Sequence, residues 1–151
     1  MRRVRWWAAL SVALLAGVGA AAQSYKAGEY QTGATTGPRW KVQASTGATH
    51  AGFAAAGEAA ASVDQHLGHA LNCIEGRQGR NFNARWGHVC EGQGQGLLPD
   101  LRQDPAGRPW LLVAEAADQL ALRGLRTQDL GQKKNAARGV SALLQLIAQA
   151  P

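Results

Sequence analysis

Apolar residues recur every three or four positions in three long stretches of the chain, the spacing expected for one buried face on each of three α-helices. The first stretch covers residues 49–75, is rich in alanine and ends just before Gly76. The second begins at Pro109 and weakens near Gly124, and the third follows Thr127. No stretch alternates apolar and polar residues as a half-buried strand does. The pattern therefore predicts an all-α protein, a small antiparallel bundle of three main helices.

Residues 76–107 connect the first two predicted helices and carry no sustained periodicity. Seven glycines and two prolines fall in this stretch, which predicts a long Gly-rich loop. Within it, we expect Leu97, Leu98 and Leu101 to form a short turn whose side chains fill part of the core. A loop of this length in a small domain is usually functional or held at a second point.

The first 22 residues have the pattern of a secretory signal peptide. Arginines precede an apolar run over residues 6–19, and Ala20-Ala21-Ala22 supply the small residues of a cleavage site. The run is shorter than the about 20 residues of a membrane span, although an uncleaved N-terminal anchor stays open as an alternative. We therefore expect a periplasmic or secreted protein that has no membrane span after cleavage. Residues 23–48 are rich in small polar residues and predict a flexible or extended arm, followed by a helical domain over residues 49–151.

The positive charge of the chain gives little support for a polyanionic partner. The formal net charge is +6, but three of the 16 basic residues belong to the predicted signal peptide, so 13 basic residues remain against 10 acidic ones. The remaining arginines are scattered, without the basic stripe and interleaved aromatic residues that nucleic-acid binding requires. We expect no nucleic-acid partner.

Cys73 and Cys90 are the only cysteines of the chain. An even number of cysteines in an exported protein favours a disulfide, because the compartment is oxidising. This bridge would tie the Gly-rich loop to the end of the first predicted helix and stabilise the fold by about 3 kcal/mol. The alternative is that the two sulfurs bind a metal ion.

Two histidines share one face near the end of the first predicted helix. His66 and His69 stack there with Cys73, whereas His50 lies on another face of the same predicted helix and is left out. The predicted disulfide returns the loop to this face and brings His88 beside Cys73 and near His69. The sequence thus predicts three ligands, His66, His69 and His88, for a transition metal ion or haem iron. The same spacing also fits a helix end whose histidines only make hydrogen bonds.

Two other functions stay open. In an interaction module, the loop would bind an envelope protein or an anionic envelope polymer through Arg77, Arg80, Arg85 and Trp86. In a periplasmic hydrolase, one of the histidines would act as a base, but no serine lies in a G-x-S-x-G elbow. The predicted disulfide also removes the thiolate nucleophiles. The sequence therefore favours an exported binding protein over an enzyme.

Overall fold

The computed structural model describes residues 37–151, and this part of the chain is entirely helical. It contains five α-helices: α1 (Arg39–Ala56), α2 (Ala60–Glu75), α3 (Leu97–Gln103), α4 (Leu111–Arg126) and α5 (Leu130–Ala148). Single 3-10 turns at Ala84–Trp86 and Arg108–Trp110 precede α3 and α4. The all-α prediction is confirmed, but the predicted count of three main helices is wrong. The predicted signal peptide, and the predicted arm over residues 23–36, lie outside the described residues.

A break at residues 57–59 divides the first predicted helix into α1 and α2. Gly57 donates its backbone N–H to the carbonyl of Ala54, then takes an extended conformation with ψ 141°, and α2 starts after Ala59. The spacing of apolar residues continues across this break, so periodicity alone does not reveal it. Gly57 was the local signal, because glycine weakens a helix interior. Helix α2 consequently runs back alongside α1.

Helix α1 begins inside the stretch that we predicted as an arm, so that prediction is wrong over residues 39–48. Trp40 is buried and donates from Nε1 to Asp104 Oδ2 at 2.7 Å. Gln43 is also buried and donates to Asp100 Oδ2 at 2.6 Å. These long-range bonds hold a polar segment against the core, which its local sequence does not indicate. The small residues of α1 that are buried are Ala44, Gly47, Ala48, Ala51 and Ala54.

The four long helices form an antiparallel bundle. Helix α1 packs against α2 and α5, and α4 packs against the same two helices. Lys41 donates to the carbonyl of Ala150 at 2.5 Å, and Ser141 donates to the carbonyl of Ala48 at 3.0 Å, so α1 and α5 run in opposite directions. None of the helices in residues 37–151 has the length and hydropathy that a bilayer crossing requires. Helix α3 packs against α1, α2 and α4 and buries the leucines predicted to plug the core, Leu97, Leu98 and Leu101.

An ion pair with a buried lysine joins three of the long helices. Lys133 of α5 is 2% exposed, and its Nζ donates to Asp64 Oδ1 of α2 at 2.5 Å. The same ammonium reaches the carbonyls of Gly124 and Leu125, at 3.5 and 3.4 Å, near the end of α4. It therefore satisfies carbonyls that a helix end leaves without partners.

Cys73 and Cys90 form the predicted disulfide, with their Cα atoms 5.3 Å apart. The bridge joins α2 to the segment between α2 and α3, and both cysteines are buried. Cys90 Sγ lies 3.8 Å from the Gln43 carbonyl, so the bridge also packs against α1. Because both sulfurs are bonded to each other, the alternative in which they bind a metal ion is wrong.

Candidate metal centre

Three histidines meet where α1 and α2 face each other. His50 comes from α1, and His66 and His69 come from α2; one nitrogen of each ring lies within 4.8 Å of the other two. The ring centroids are 5.7 Å apart for His50 and His66, 4.8 Å for His50 and His69, and 5.6 Å for His66 and His69. We call this group the histidine cluster.

Hydrogen bonds orient the ring of His69. Its Nδ1 lies 3.1 Å from Nδ1 of His50, and its Nε2 lies 3.0 Å from Nε2 of Gln65. The Gln65 amide also donates to the carbonyl of Trp86 at 2.9 Å, which ties the cluster to the segment before α3. If the Gln65 amide donates to Nε2, one hydrogen is shared between the two Nδ1 atoms. A metal ion bound by both Nδ1 atoms would require that hydrogen to move to Nε2 of its own ring, so that each imidazole stays neutral.

Apolar atoms cover one side of the histidine cluster. Phe53 packs edge-on against His50 and His66, with ring centroids 5.6 and 5.4 Å apart. The side chain of Phe53 is 38% exposed, so the cluster lies near the protein surface. Nδ1 of His66 is buried and makes no hydrogen bond with any residue in the described range. This ring nitrogen is therefore a polar atom that a ligand would satisfy.

The environment keeps the cluster uncharged at neutral pH. Burial, followed by the charges of His69 and His66, lowers the pKa of His50 to about 4. Burial lowers the pKa of His66, and burial together with the charge of His66 lowers that of His69, against the opposing effect of the Trp86 carbonyl. Neutral imidazole is the form that binds a metal ion, so no proton needs to leave these rings at pH 7.

His88 is not part of the histidine cluster, so the structure brings together only two of the three predicted ligands, His66 and His69. Its ring packs edge-on against Phe82, with centroids 5.3 Å apart, and its Nδ1 is buried without a hydrogen-bond partner in the described part of the chain. Burial, then the charge of Arg77, lowers its pKa, and Glu91 opposes this shift. The disulfide does return the chain to α2, but it brings the backbone of residues 86–87 beside His69 instead of the His88 side chain.

Two residues that the sequence analysis did not select hold this arrangement together. Asn72 is fully buried and donates from Nδ2 to the carbonyls of Asn83, at 2.8 Å, and Gly87, at 2.6 Å. Its Oδ1 accepts the backbone N–H of Asn83 at 3.0 Å. Together with Gln65, it fixes the segment that passes the histidine cluster. A buried asparagine between leucine, cysteine and isoleucine on a helix is the signal that could have identified it.

The residues predicted to bind a partner have different surroundings. Trp86 packs on α2 so closely that a Cβ atom on Gly68 would overlap its indole ring. Arg77 forms an ion pair with Glu91, while Arg80 and Arg85 are exposed. Trp86 therefore anchors its segment to the bundle. Partner binding by Arg77, Arg80, Arg85 and Trp86 stays a prediction.

The lowered pKa of His50 predicts that acid destabilises the fold. In the unfolded chain this group takes up a proton near pH 6.5, but in the folded protein only near pH 4, so its stabilising contribution is complete above pH 6.5 and is lost as pH falls to about 4. We expect His50→Gln to reduce the loss of unfolding free energy over this range by on the order of 2 kcal/mol. The measurement is urea unfolding of both metal-free proteins across the range.

The comparison of variants is needed because a second group opposes this trend. Burial, and then Glu75, raises the pKa of Asp118 to about 7, which favours the folded state as pH falls. His50→Gln leaves that contribution unchanged, so the difference between the two proteins isolates the histidine. Equal pH dependence of the two unfolding free energies would contradict the prediction.

No protein-family model, curated protein or solved structure matches this chain. The histidine cluster is the group of described residues whose geometry points most directly to a ligand.

Proposed function

We propose that this protein is an exported binding protein for a divalent transition metal ion, held by His50, His66 and His69. The observation that carries the proposal is the convergence of three ring nitrogens within 4.8 Å of one another. Tetrahedral Zn²⁺ has Zn–N distances of about 2.0–2.1 Å, which corresponds to ligand nitrogens about 3.3 Å apart. His50 Nδ1 and His69 Nδ1, at 3.1 Å, are already close to this spacing, and a ring nitrogen of His66 lies within 4.8 Å of the other two rings.

The chemistry of the three rings favours a particular group of ions. Imidazole ligands suit Zn²⁺, Cu²⁺ and Ni²⁺, whereas Ca²⁺ and Mg²⁺ prefer oxygen. The three rings have centroids 4.8–5.7 Å apart, which leaves no room for a porphyrin plane between any two of them. We therefore propose a bare metal ion and not haem.

Two observations support the exported location that the proposal includes. The predicted signal peptide at residues 1–22 is the pattern that directs a chain across the membrane. The Cys73–Cys90 disulfide is typical of a protein that folds in an oxidising compartment. A small metal-binding bundle in that compartment would meet metal ions outside the cytoplasm.

Calorimetric titration of tag-free, metal-free protein with Zn²⁺, Cu²⁺ and Ni²⁺ tests the proposal. We expect one ion per chain. His50→Ala, His66→Ala and His69→Ala should each weaken binding by more than about a hundredfold, because loss of a ligand costs more than loss of a group that only orients a ligand by a hydrogen bond. His88→Ala is the matched control, since this histidine is also partly buried but lies outside the cluster.

The His88 variant distinguishes the histidine cluster from the ligand set predicted from the sequence, which includes His88 in place of His50. Unchanged affinity in the His88 variant supports the histidine cluster, while an equal loss in the His88 and His69 variants would show that the ligand set is wrong. Folded wild-type protein that binds none of the three ions would refute the proposed function. Elemental analysis of the purified protein provides an independent count of bound metal.

A further inference from the structure

A cavity of about 620 Å³ lies between the end of α2, the segment after it, α3 and α4. This volume is within the range of small-molecule sites, about 300–1,000 Å³. None of the residues that line it belongs to the histidine cluster, so it is a separate site. We call it the α2–α4 cavity.

Two buried carboxyl groups line the α2–α4 cavity. Asp118 is 7% exposed and Glu75 is 8% exposed, and the two side chains are within hydrogen-bonding contact. Both oxygens of Glu75 accept from Asn81, one from its backbone N–H and one from Nδ2, each at 2.6 Å. Asp118 Oδ2 accepts from Gln119 Nε2 at 3.2 Å.

The remaining oxygen of Asp118 has no donor. Its Oδ1 is buried, and no N–H group in the described range donates a hydrogen bond to it; the neighbouring Glu75 is itself an acid, and the pair shares a hydrogen bond only when one of the two carboxyl groups is protonated. Burial and the charge of Glu75 both raise the pKa of Asp118, so this carboxyl group is costly to keep ionised without a cation beside it. A ligand that brings a positively charged donor would remove this cost.

The same cavity has a positively charged rim. Arg80, Arg102 and Arg126 line it and are exposed. Arg102 has a long ion pair with Glu115, at 3.5 Å, whereas Arg80 and Arg126 take part in no ion pair or side-chain hydrogen bond within residues 37–151. Arginine presents a planar fork of N–H donors that matches a carboxylate.

We propose that the α2–α4 cavity binds a small zwitterion, with a primary ammonium on Asp118 and Glu75 and a carboxylate on the arginines of the rim. A simple anion would be repelled by the two carboxyl groups, and a simple cation would be repelled by the arginines. A molecule that carries both charges is complementary to both parts of the cavity. Free amino acids and short peptides share this chemistry.

The spacing of charged residues along α4 favours a short peptide over a free amino acid. Asp118 and Arg126 are eight residues apart on one helix, which corresponds to about 12 Å along its axis. An extended tripeptide spans up to about 10 Å at 3.3–3.6 Å per residue, and the arginine side chain covers the remainder. A single amino acid would reach only one end of this distance.

NMR titration of the intact protein with L-alanyl-L-alanyl-L-alanine tests the proposal. We expect chemical-shift changes at residues 75–81 and 118–126. Two blocked peptides, trialanine with an acetylated N-terminus and trialanine with an amidated C-terminus, should each bind at least about tenfold more weakly. Asp118→Asn and Arg126→Gln should weaken trialanine binding by a similar factor. Arg123→Gln, an exposed arginine of α4 outside the cavity lining, is the matched control and should leave affinity unchanged.

Each outcome decides the proposal. Tighter binding of trialanine than of alanine supports the short peptide, and equal binding supports the zwitterion class with a free amino acid as its source. Absence of chemical-shift changes with both trialanine and alanine, or undiminished affinity for acetylated trialanine, would overturn the proposal. Loss of affinity in Arg123→Gln equal to that in Arg126→Gln would also overturn it, because binding would then reflect general charge. His69→Ala should not change trialanine affinity, so the two proposed sites can fail separately.

Discussion

Gly76→Ala is expected to lower the free energy of unfolding by at least about 3 kcal/mol. Gly76 ends α2 with φ 72° and ψ 175°, a combination that is essentially restricted to glycine. A Cβ atom on Gly76 would also overlap the carbonyl oxygen of Gln95. The backbone conformation and the lack of space thus act against alanine together.

The reason for this crowding is a crossing of two backbone segments. A Cβ atom on Gly96 would lie 2.6 Å from the carbonyl oxygen of Glu75, so the chain entering α3 passes directly over the end of α2. This crossing closes the segment 76–96, whose residues 86–87 pass the histidine cluster. We expect Gly76→Ala to disturb both the base of that segment and the histidine cluster beside it.

Gly92→Ala is the matched control for this prediction. Gly92 also has a positive φ, of 80°, but a Cβ atom there would meet nothing within 4 Å. The control should lose only the conformational cost, about 1–2 kcal/mol. Urea unfolding of both variants measures the difference, and equal losses would show that the backbone crossing does not exclude a side chain.

Removal of the Cys73–Cys90 disulfide is expected to cost about 3 kcal/mol of unfolding free energy, because the bridge closes a 17-residue separation and restricts the unfolded chain. Reduction keeps both sulfur atoms and isolates the effect of the bond. Cys73→Ala with Cys90→Ala should cost more, since both side chains are buried and leave empty volume. Urea unfolding with and without a phosphine reductant gives the two values.

Hydrogen exchange should show where reduction acts first. The amides of Asn81 and Asn83 are bound by Glu75 and Asn72, so they should remain protected after reduction. The amides near Cys90, such as those of Glu91 and Gln93, have only local turn carbonyls as partners and should exchange sooner. Equal exchange at all four amides, or a stability loss below about 1 kcal/mol, would contradict this account.

The histidine cluster shows how much of a candidate site can be predicted from local sequence pattern. His66, His69 and Cys73 were correctly placed near one face of one helix, because helical geometry alone decides which neighbours stack. His50 was excluded only because residues 49–75 were treated as a continuous helix. Once Gly57 breaks that helix, the direction of α1 reverses relative to α2, and the face that carries His50 turns toward the other two histidines.

Local sequence pattern does not predict the α2–α4 cavity, although two of its residues occupy unusual positions. Asp118 lies between Ala117 and Ala121 on the buried face of α4, and an acidic residue in an apolar stripe is unusual. Glu75 likewise follows Ile74 on the buried face of α2. Neither position reveals that the two carboxyl groups meet, because the contact joins helices that are distant in sequence.

The helical fold class, the disulfide and the burial of the α3 leucines could be predicted from the chain alone, since helical periodicity, cysteine number and short apolar turns are local properties. Tertiary packing was needed to show that residues 39–48 begin a core helix, that His50 and not His88 lies in the cluster, and that Glu75 and Asp118 share a cavity. One cause accounts for all three. These features depend on side chains from separate helices, and their contacts are set by the turn at residues 57–59 and by the packing that follows from it.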